Sequence, residues 1–219
     1  MKDHLYELLL QKGVSATHIK EMKDTLNFGI HLFSFYYKEK EKIECEVPLS
    51  KIKSLGFRGS VGLSWYDHAI GKGSNIDSRR CRIALKHLIE QPLRQFQDFY
   101  KKSLVRLIYF KDLDFYAVYG DGTHRTLWAK LTGSSTISAE VIVAYKDHLA
   151  YESFKTEYNS GFIIKSIIEG LMKYTPSKIE SSLLAAFRRI HEDKRIKIHD
   201  FEKIRVGLDL YYIEKALGD

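Results

Sequence analysis

The sequence is poor in the residues that mark several classes of protein. It has only two cysteines and three prolines in 219 residues. Two cysteines cannot build the disulfide framework of a small secreted protein, so we expect a cytoplasmic chain. No apolar run approaches the roughly 20 residues that cross a bilayer. Residues 1–10 lack the apolar core and cleavage site of a secretory signal, and no repeat of fixed period is found.

The remaining composition is that of a soluble globular protein, with 44% hydrophobic and 29% charged residues. The length allows one large domain or one domain with an appendage. The net charge is +7, but residues 51–111 alone hold 13 basic and four acidic residues, so the rest of the chain is slightly acidic. Two interpretations of this basic segment stay open: a solvated helix face, or a surface that meets phosphates.

Periodicity predicts mainly helices and a hairpin in the first half of the chain. Helices are expected over 3–12 and 16–25, the second capped by Ser15. An aromatic-rich alternation that begins at Gly29 predicts a hairpin over 29–47, with a charged turn at 38–41. Residues 55–77 are rich in glycine and serine and predict a long irregular segment. Long loops in compact domains are often functional.

The second half of the chain alternates helices and strands before a helical end. The predicted elements are helices over 78–90 and 93–102, strands over 104–110 and 115–119, a helix over 123–132, a strand over 137–144 and an all-helical segment over 162–219.

The most informative segment runs from Phe115 to Gly133 and combines an apolar strand, a glycine turn and a helix. Gly120 and Gly122 allow a sharp turn and a close approach of the backbone to a ligand. Free N–H groups and the dipole at the helix start favour an anion, and Thr123 can cap the helix.

Two basic residues, His124 and Arg125, follow in the first helical turn. Positive charge there opposes the helix dipole by roughly 0.3–1 kcal/mol. A locally unfavourable choice of this kind often marks a functional site. A phosphate bound by the helix start, His124 and the planar fork of Arg125 would remove the conflict. The alternative is a surface helix start whose side chains bond loop carbonyls.

The string Gly122-Thr123-His124-Arg125 resembles the box of the ParB/sulfiredoxin superfamily. Sulfiredoxins carry Gly-Gly-Cys-His-Arg between a strand and a helix, and ParB proteins carry Gly-Glu-Arg-Arg. The segment from Glu46 to Ile52 is similar to the family's first strand, and Ala129, Gly133 and the strand over 137–144 also fit. The resemblance covers about residues 43–146.

The resemblance implies an α+β fold. Its core, a small mixed sheet with packed helices of the ParB/sulfiredoxin type, is expected over residues 29–150. A helical N-terminal extension over 1–28 and a helical C-terminal domain over 160–219 complete the expected organisation.

The resemblance also implies a nucleotide site for ATP or CTP. The expected nucleotide-binding residues are Gly120, Asp121, Gly122, Thr123, His124 and Arg125. Arg79, Arg80 and Arg82 are secondary candidates, because they lie where family members place a helix with phosphate-binding residues. Arg58, in the glycine-rich segment, is a weaker candidate.

Chemistry at this site would rest on few residues. Asp121 and His124 are the candidate catalytic residues, and Asp121 is the candidate ligand of Mg²⁺ or else only a residue that shapes the turn. Thr123 stands where sulfiredoxins have their nucleophilic cysteine, so we do not expect sulfinic-acid reductase activity. The ParB glutamate also falls on Thr123, which puts ParB-type CTP hydrolysis in doubt.

Three functional hypotheses follow. The first is a nucleotide-binding protein that acts as an NTPase if it turns its ligand over. The second is a DNA-binding protein or ParB-like nuclease that uses the basic segment 51–111. The third is a non-catalytic regulatory or antagonist protein on the same fold. A homodimer through the C-terminal helices is expected, and no membrane partner.

Overall fold

The structure, a computed structural model, describes residues 3–28, 35–60, 63–72 and 76–160. This part of the chain has an α+β fold with a five-stranded mixed sheet. Its α-helices are α1 (His4–Gln11), α2 (Ala16–Asp24), α3 (Trp65–Ala69), α4 (Ser78–Glu90), α5 (Leu93–Lys102), α6 (Thr123–Leu131) and α7 (His148–Ser160). Its strands are β1 (Tyr36–Pro48), β2 (Ile52–Ser54), β3 (Val105–Phe110), β4 (Phe115–Val118) and β5 (Thr136–Lys146).

The sheet has the strand order β1-β5-β3-β4-β2. The pairs β1/β5 and β3/β4 are antiparallel, and the pairs β3/β5 and β2/β4 are parallel. The central strand β3 is buried on both faces. Val105 and Leu107 belong to the main hydrophobic core, whereas Ile108 and Phe110 are buried on the opposite face. This double burial explains why β3 reads as an almost continuous apolar run.

Helix α6 lies at the centre of the helical layer and positions the candidate site. Eight of its nine residues are buried, and Arg125 alone is half-exposed. The helix packs against α3, α5 and β3. Gly133, with φ of 80°, ends it and donates its N–H to the carbonyl of Lys130 at 3.1 Å. Because α6 is buried, water screens the field at its N-terminus less than it would at the surface.

Most predicted elements are confirmed, with boundaries within two residues. This holds for the helices expected over 3–12, 16–25, 78–90, 93–102 and 123–132, and for the strands expected over 104–110, 115–119 and 137–144. Ser15 caps α2 as predicted and accepts a hydrogen bond from the His18 N–H at 3.1 Å.

The predicted turn at 38–41 is wrong. Strand β1 runs through these residues and pairs with β5, and only its register shifts between Lys38 and Lys42. Strand β1 lies at the edge of the sheet, where alternating Lys and Glu side chains stay solvated. These residues also lack the left-handed preference that favours a tight turn. The other arm of the predicted hairpin, over 29–34, lies outside the described residues.

The described residues of the segment 55–77 are more regular than predicted. They include α3, whose start is fixed by a reciprocal capping box between Ser64 and Asp67. Helix α7 was also not predicted. Residues 161–219, where the C-terminal helical domain is expected, lie outside the described part of the chain. None of the described helices has both the length and the apolar character needed to cross a membrane.

The predicted N-terminal extension contributes to the core. Leu9 of α1 and Ile19 of α2 are fully buried and belong to the same hydrophobic cluster as Trp128 of α6.

Candidate functional site

A tight glycine turn connects β4 to α6. Gly120 and Gly122 have φ of 85° and 108°, in the left-handed region. A Cβ atom on Gly122 would lie 2.5 Å from the Cβ of Val105, whereas one on Gly120 would meet nothing within 4 Å. The Arg106 N–H holds the turn by donating to the carbonyl of Asp121 at 3.1 Å. Gly122 is therefore required both by its conformation and by the lack of space beside it.

The start of α6 presents unpaired donors. Gly122 is the N-cap, and no side chain caps the helix. The predicted capping role of Thr123 is wrong, because Thr123 is itself the first helical residue. The N–H groups of Thr123, His124 and Arg125 have no acceptor among the described residues. Three free donors at the end of a buried helix favour an anion.

His124 is buried and neutral rather than a cation. Its side chain lies beside the helix start, and its Nε2 is 3.2 Å from the carbonyl oxygen of Asp77. Burial, together with the positive charges of Arg80 and Arg58, holds the pKa of His124 below its ordinary value. The neutral imidazole does not oppose the helix dipole, so half of the expected conflict disappears within the chain.

Arg125 is neutralised by Asp121. Its guanidinium donates to the Asp121 carboxylate at 2.5 Å and to the carbonyl of Leu104 at 2.7 Å. Burial alone would raise the pKa of Asp121, but the hydrogen bond and charge of Arg125 hold it below its ordinary value. The unfavourable positive charge that the sequence places at the start of α6 is thus neutralised within the chain, without a bound ligand.

Asp121 does not fit a magnesium ligand in this arrangement. Its Oδ1 accepts from the Gly122 N–H at 2.8 Å, and its Oδ2 accepts from Arg125. Both oxygens are engaged, and no group of three His, Cys, Asp or Glu side chains in the described ranges could hold a metal ion. The arrangement favours the turn-shaping interpretation of Asp121.

A cavity of about 460 Å³ opens in front of the helix start. Its volume lies in the range of pockets that hold small ligands. The segment Gly120 to Arg125 lines one end, together with two arginines from elsewhere in the chain, Arg58 and Arg80. All six expected nucleotide-binding residues of the turn and helix start therefore face one cavity.

Besides Arg125, which is paired with Asp121, two arginines line the cavity, Arg58 and Arg80. Arg58 makes no hydrogen bond or ion pair with any residue that the structure describes. Arg80 makes one exposed ion pair, with Asp77 at 3.8 Å, a kind of contact that contributes little. Arg79 and Arg82 are exposed but do not line the cavity. The helical period turns these two side chains of α4 away from the face that carries Arg80.

Long-range hydrogen bonds hold the loop of Arg58 in place. Asn27 is buried, and its side chain accepts from the Leu55 N–H at 2.8 Å and donates to the Ser60 carbonyl at 3.3 Å. The hydroxyl of Thr123 donates to the Leu55 carbonyl at 3.3 Å. The loop is thereby tied to the start of α6. The sequence carries no local signal for Asn27, since its partners are distant in the chain.

The other end of the cavity is apolar and aromatic, and the sequence did not predict it. Ile83 and His87 of α4 and Phe99 and Tyr100 of α5 line it. Ile83 is 45% exposed and Phe99 is 56% exposed. The spacing of Arg80, Ile83 and His87 places all three on one face of α4, a signal that could have linked them.

Comparisons with protein-family models, with curated proteins and with solved structures found no match to this chain. The functional argument therefore rests on the site itself: three free N–H groups, two cations and a neutral imidazole around one end of a cavity. That chemistry suits a phosphorylated ligand. Cys81 is not part of it, because this cysteine does not line the cavity and burial raises the pKa of its thiol.

Proposed function

We propose that this chain is a nucleotide-binding protein of the ParB/sulfiredoxin-like type. The phosphate groups of the nucleotide would bind at the start of α6, between the turn Gly120 to Arg125 and the two arginines Arg58 and Arg80. The observation that carries the proposal is one cavity that is lined both by the residues with free N–H groups and by both arginines.

The geometry supports binding of phosphate by a combination of backbone and side chains. The N–H groups of residues 123–125 offer donors in fixed positions, so little entropy is lost when they bind. Arg58 and Arg80 add charge and can form charge-assisted hydrogen bonds. Arg125 is paired with Asp121, so in this proposal it holds the turn in shape and the charge on the phosphate comes chiefly from Arg58 and Arg80.

The site supports binding better than turnover. Thr123 donates to a loop carbonyl, and Asp121 has both carboxylate oxygens engaged. Neither is arranged to activate water or hold a metal ion. The third hypothesis, a regulatory protein that binds a nucleotide without hydrolysing it, therefore agrees better with the described residues than an NTPase does.

A thermal-shift screen with the four nucleoside triphosphates, each with and without Mg²⁺, tests the proposal. A ligand at 100 times its Kd adds about 2.7 kcal/mol of stability. For a chain of this size we expect a rise in Tm of roughly 5–10 °C. Titration calorimetry then gives the affinity. We expect the Arg58→Ala and Arg80→Ala variants each to lose about tenfold or more in affinity.

Arg79→Ala and Arg82→Ala are the matched controls, because both remove an exposed arginine from the helix that carries Arg80. We expect both to bind within about twofold of the wild type. If no nucleotide shifts the Tm, the proposal is wrong. If all four arginines matter equally, the binding is diffuse and the assigned site is wrong.

A second function, nucleic-acid binding, is favoured by one observation. Arg79 and Arg82 are exposed and make no ion pair with any residue in the described ranges, within a segment of strong positive charge. Duplex DNA bound by such a surface would lose affinity steeply as salt rises. In that case Arg79→Ala and Arg82→Ala would weaken DNA binding as much as Arg80→Ala does. No binding at low salt would remove this candidate.

A further inference from the structure

The apolar end of the cavity adds information about the ligand. It adjoins the phosphate end, because both ends belong to one cavity. Arg80, Ile83 and His87 follow one another along a single face of α4, over a length of about 10 Å at 1.5 Å per residue. A free phosphate would fill only the first part of this length. The rest has room for a group that is covalently joined to the phosphate.

The chemistry of this end suits a flat, partly polar ring. Ile83 and Phe99 are large apolar side chains that are about half exposed. The rings of His87 and Phe99 pack edge to face, with their centroids 6.0 Å apart. An exposed aromatic face beside an aliphatic side chain is a surface on which a base can stack. A sugar phosphate or an inositol phosphate would leave this surface in water.

Two polar groups stand beside the apolar surface without partners. Tyr100 is only 6% exposed, yet its hydroxyl makes no hydrogen bond with a described residue. Burial raises the pKa of Tyr100 to about 12, so the hydroxyl keeps its proton and can donate. The imidazole of His87 likewise has no hydrogen-bond partner among residues 3–28, 35–60, 63–72 and 76–160. Both residues line the cavity and keep hydrogen-bonding capacity for a ligand, so they are suited to bind the polar edge of a ring.

We propose that the ligand is a nucleoside phosphate whose base lies against Ile83 and Phe99, with its polar edge toward His87 and Tyr100. This inference rests on the proposed function and specifies which part of the ligand the second half of the cavity recognises. The base-binding part of the cavity would distinguish nucleotides from other phosphorylated ligands, which the start of α6 alone would bind equally well.

Titration calorimetry on the full chain, with nucleoside triphosphates and with inorganic tripolyphosphate, tests the inference. Tripolyphosphate carries the phosphate groups without a base. We expect the best nucleoside triphosphate to bind about tenfold or more tightly than tripolyphosphate. Phe99→Ala should remove most of this difference and leave the affinity for tripolyphosphate within about twofold.

Control variants keep the test specific. Ile83→Ala should weaken nucleotide binding, whereas Ile89→Ala should not, because Ile89 is also about half exposed on α4 but does not line the cavity. Phe99→Leu, checked by circular dichroism, replaces Phe99→Ala if that variant fails to fold. It keeps the apolar volume but loses the ring, and should also weaken binding of the nucleotide alone.

The outcomes separate this inference from the proposed function. Equal affinities for nucleotide and tripolyphosphate, both reduced by Arg58→Ala, would overturn the base site and leave the phosphate site intact. An equal loss for both ligands in Phe99→Ala would also overturn the base site. Failure of both ligands to bind would overturn the phosphate site and the base site together.

Discussion

Substitution of Gly122 by alanine tests the central geometric claim about the turn. The change adds one methyl group at a φ of 108°, with its Cβ 2.5 Å from the Cβ and 3.2 Å from the Cα of Val105. A left-handed conformation costs an L residue roughly 1–2 kcal/mol. Overpacking against a strand in the core adds about 1–3 kcal/mol. We therefore expect Gly122→Ala to lower the free energy of unfolding by roughly 2–5 kcal/mol.

The same chain supplies a matched control. Gly120 has a similar φ of 85°, but a Cβ there would have nothing within 4 Å. Gly120→Ala should therefore carry only the conformational cost of about 1–2 kcal/mol. The difference between the two variants isolates the steric contact with Val105.

Urea denaturation followed by tryptophan fluorescence measures both variants, since Trp65 and Trp128 are buried. The m value should stay constant, so that the midpoint reports stability. Val105→Gly removes the Cβ that a methyl group on residue 122 would meet, so the double variant Gly122→Ala with Val105→Gly should be less destabilised than the sum of the single changes, by about 1–3 kcal/mol. Equal effects of Gly120→Ala and Gly122→Ala, with additive behaviour of the double variant, would refute the close packing of the turn on β3.

The other predictions concern buried polar groups and thiols. Burial lowers the pKa of Lys130 to about 7 from 10.5. Between these values the unfolded chain binds the extra proton, so stability should rise with pH by up to about 1.4 kcal/mol per unit. Urea denaturation from pH 7 to 9.5 should show this slope, and Lys130→Met should abolish it; a flat wild-type profile would contradict the burial. Asn27→Ala should lower the free energy of unfolding by about 1–3 kcal/mol, because it leaves the buried Leu55 N–H unpaired. It should also weaken nucleotide binding, and unchanged affinity would show that the loop does not depend on Asn27. With a thiol reagent, exposed Cys45 should react at once and buried Cys81 only after denaturation; two fast thiols would contradict the packing of α4.

Local patterns in the sequence located much of the candidate site. Helical spacing identified α4 and α5, and the glycine turn together with Gly133 marked the two ends of α6, because these signals act within one or two turns of chain. Gly120 and Gly122 identified the turn, and the segment Gly120 to Arg125 does line one cavity. The ParB/sulfiredoxin resemblance and the nucleotide itself stay predictions.

Local patterns gave the wrong prediction where strand pairing or burial decided the outcome, and where a neighbouring counter-charge was overlooked. The alternating charges of β1 looked like a turn, but pairing with β5 keeps them in one edge strand. His124 and Arg125 looked like unneutralised cations. Burial removes the charge of the first, and Asp121 balances the charge of the second.

What the sequence determined by itself is the order of helices and strands over 78–146 and the conformation of the glycine turn, since both depend on neighbouring residues. Tertiary structure alone decided which of the basic side chains line the cavity. Arg58 is brought to the cavity by a loop that Asn27 holds, while Arg79 and Arg82 are turned away by the packing of α4. The packing of α4 beside α5 also forms the apolar end of the cavity. A sequence shows the period of a helix, but only the packed core decides which of its faces looks into a cavity.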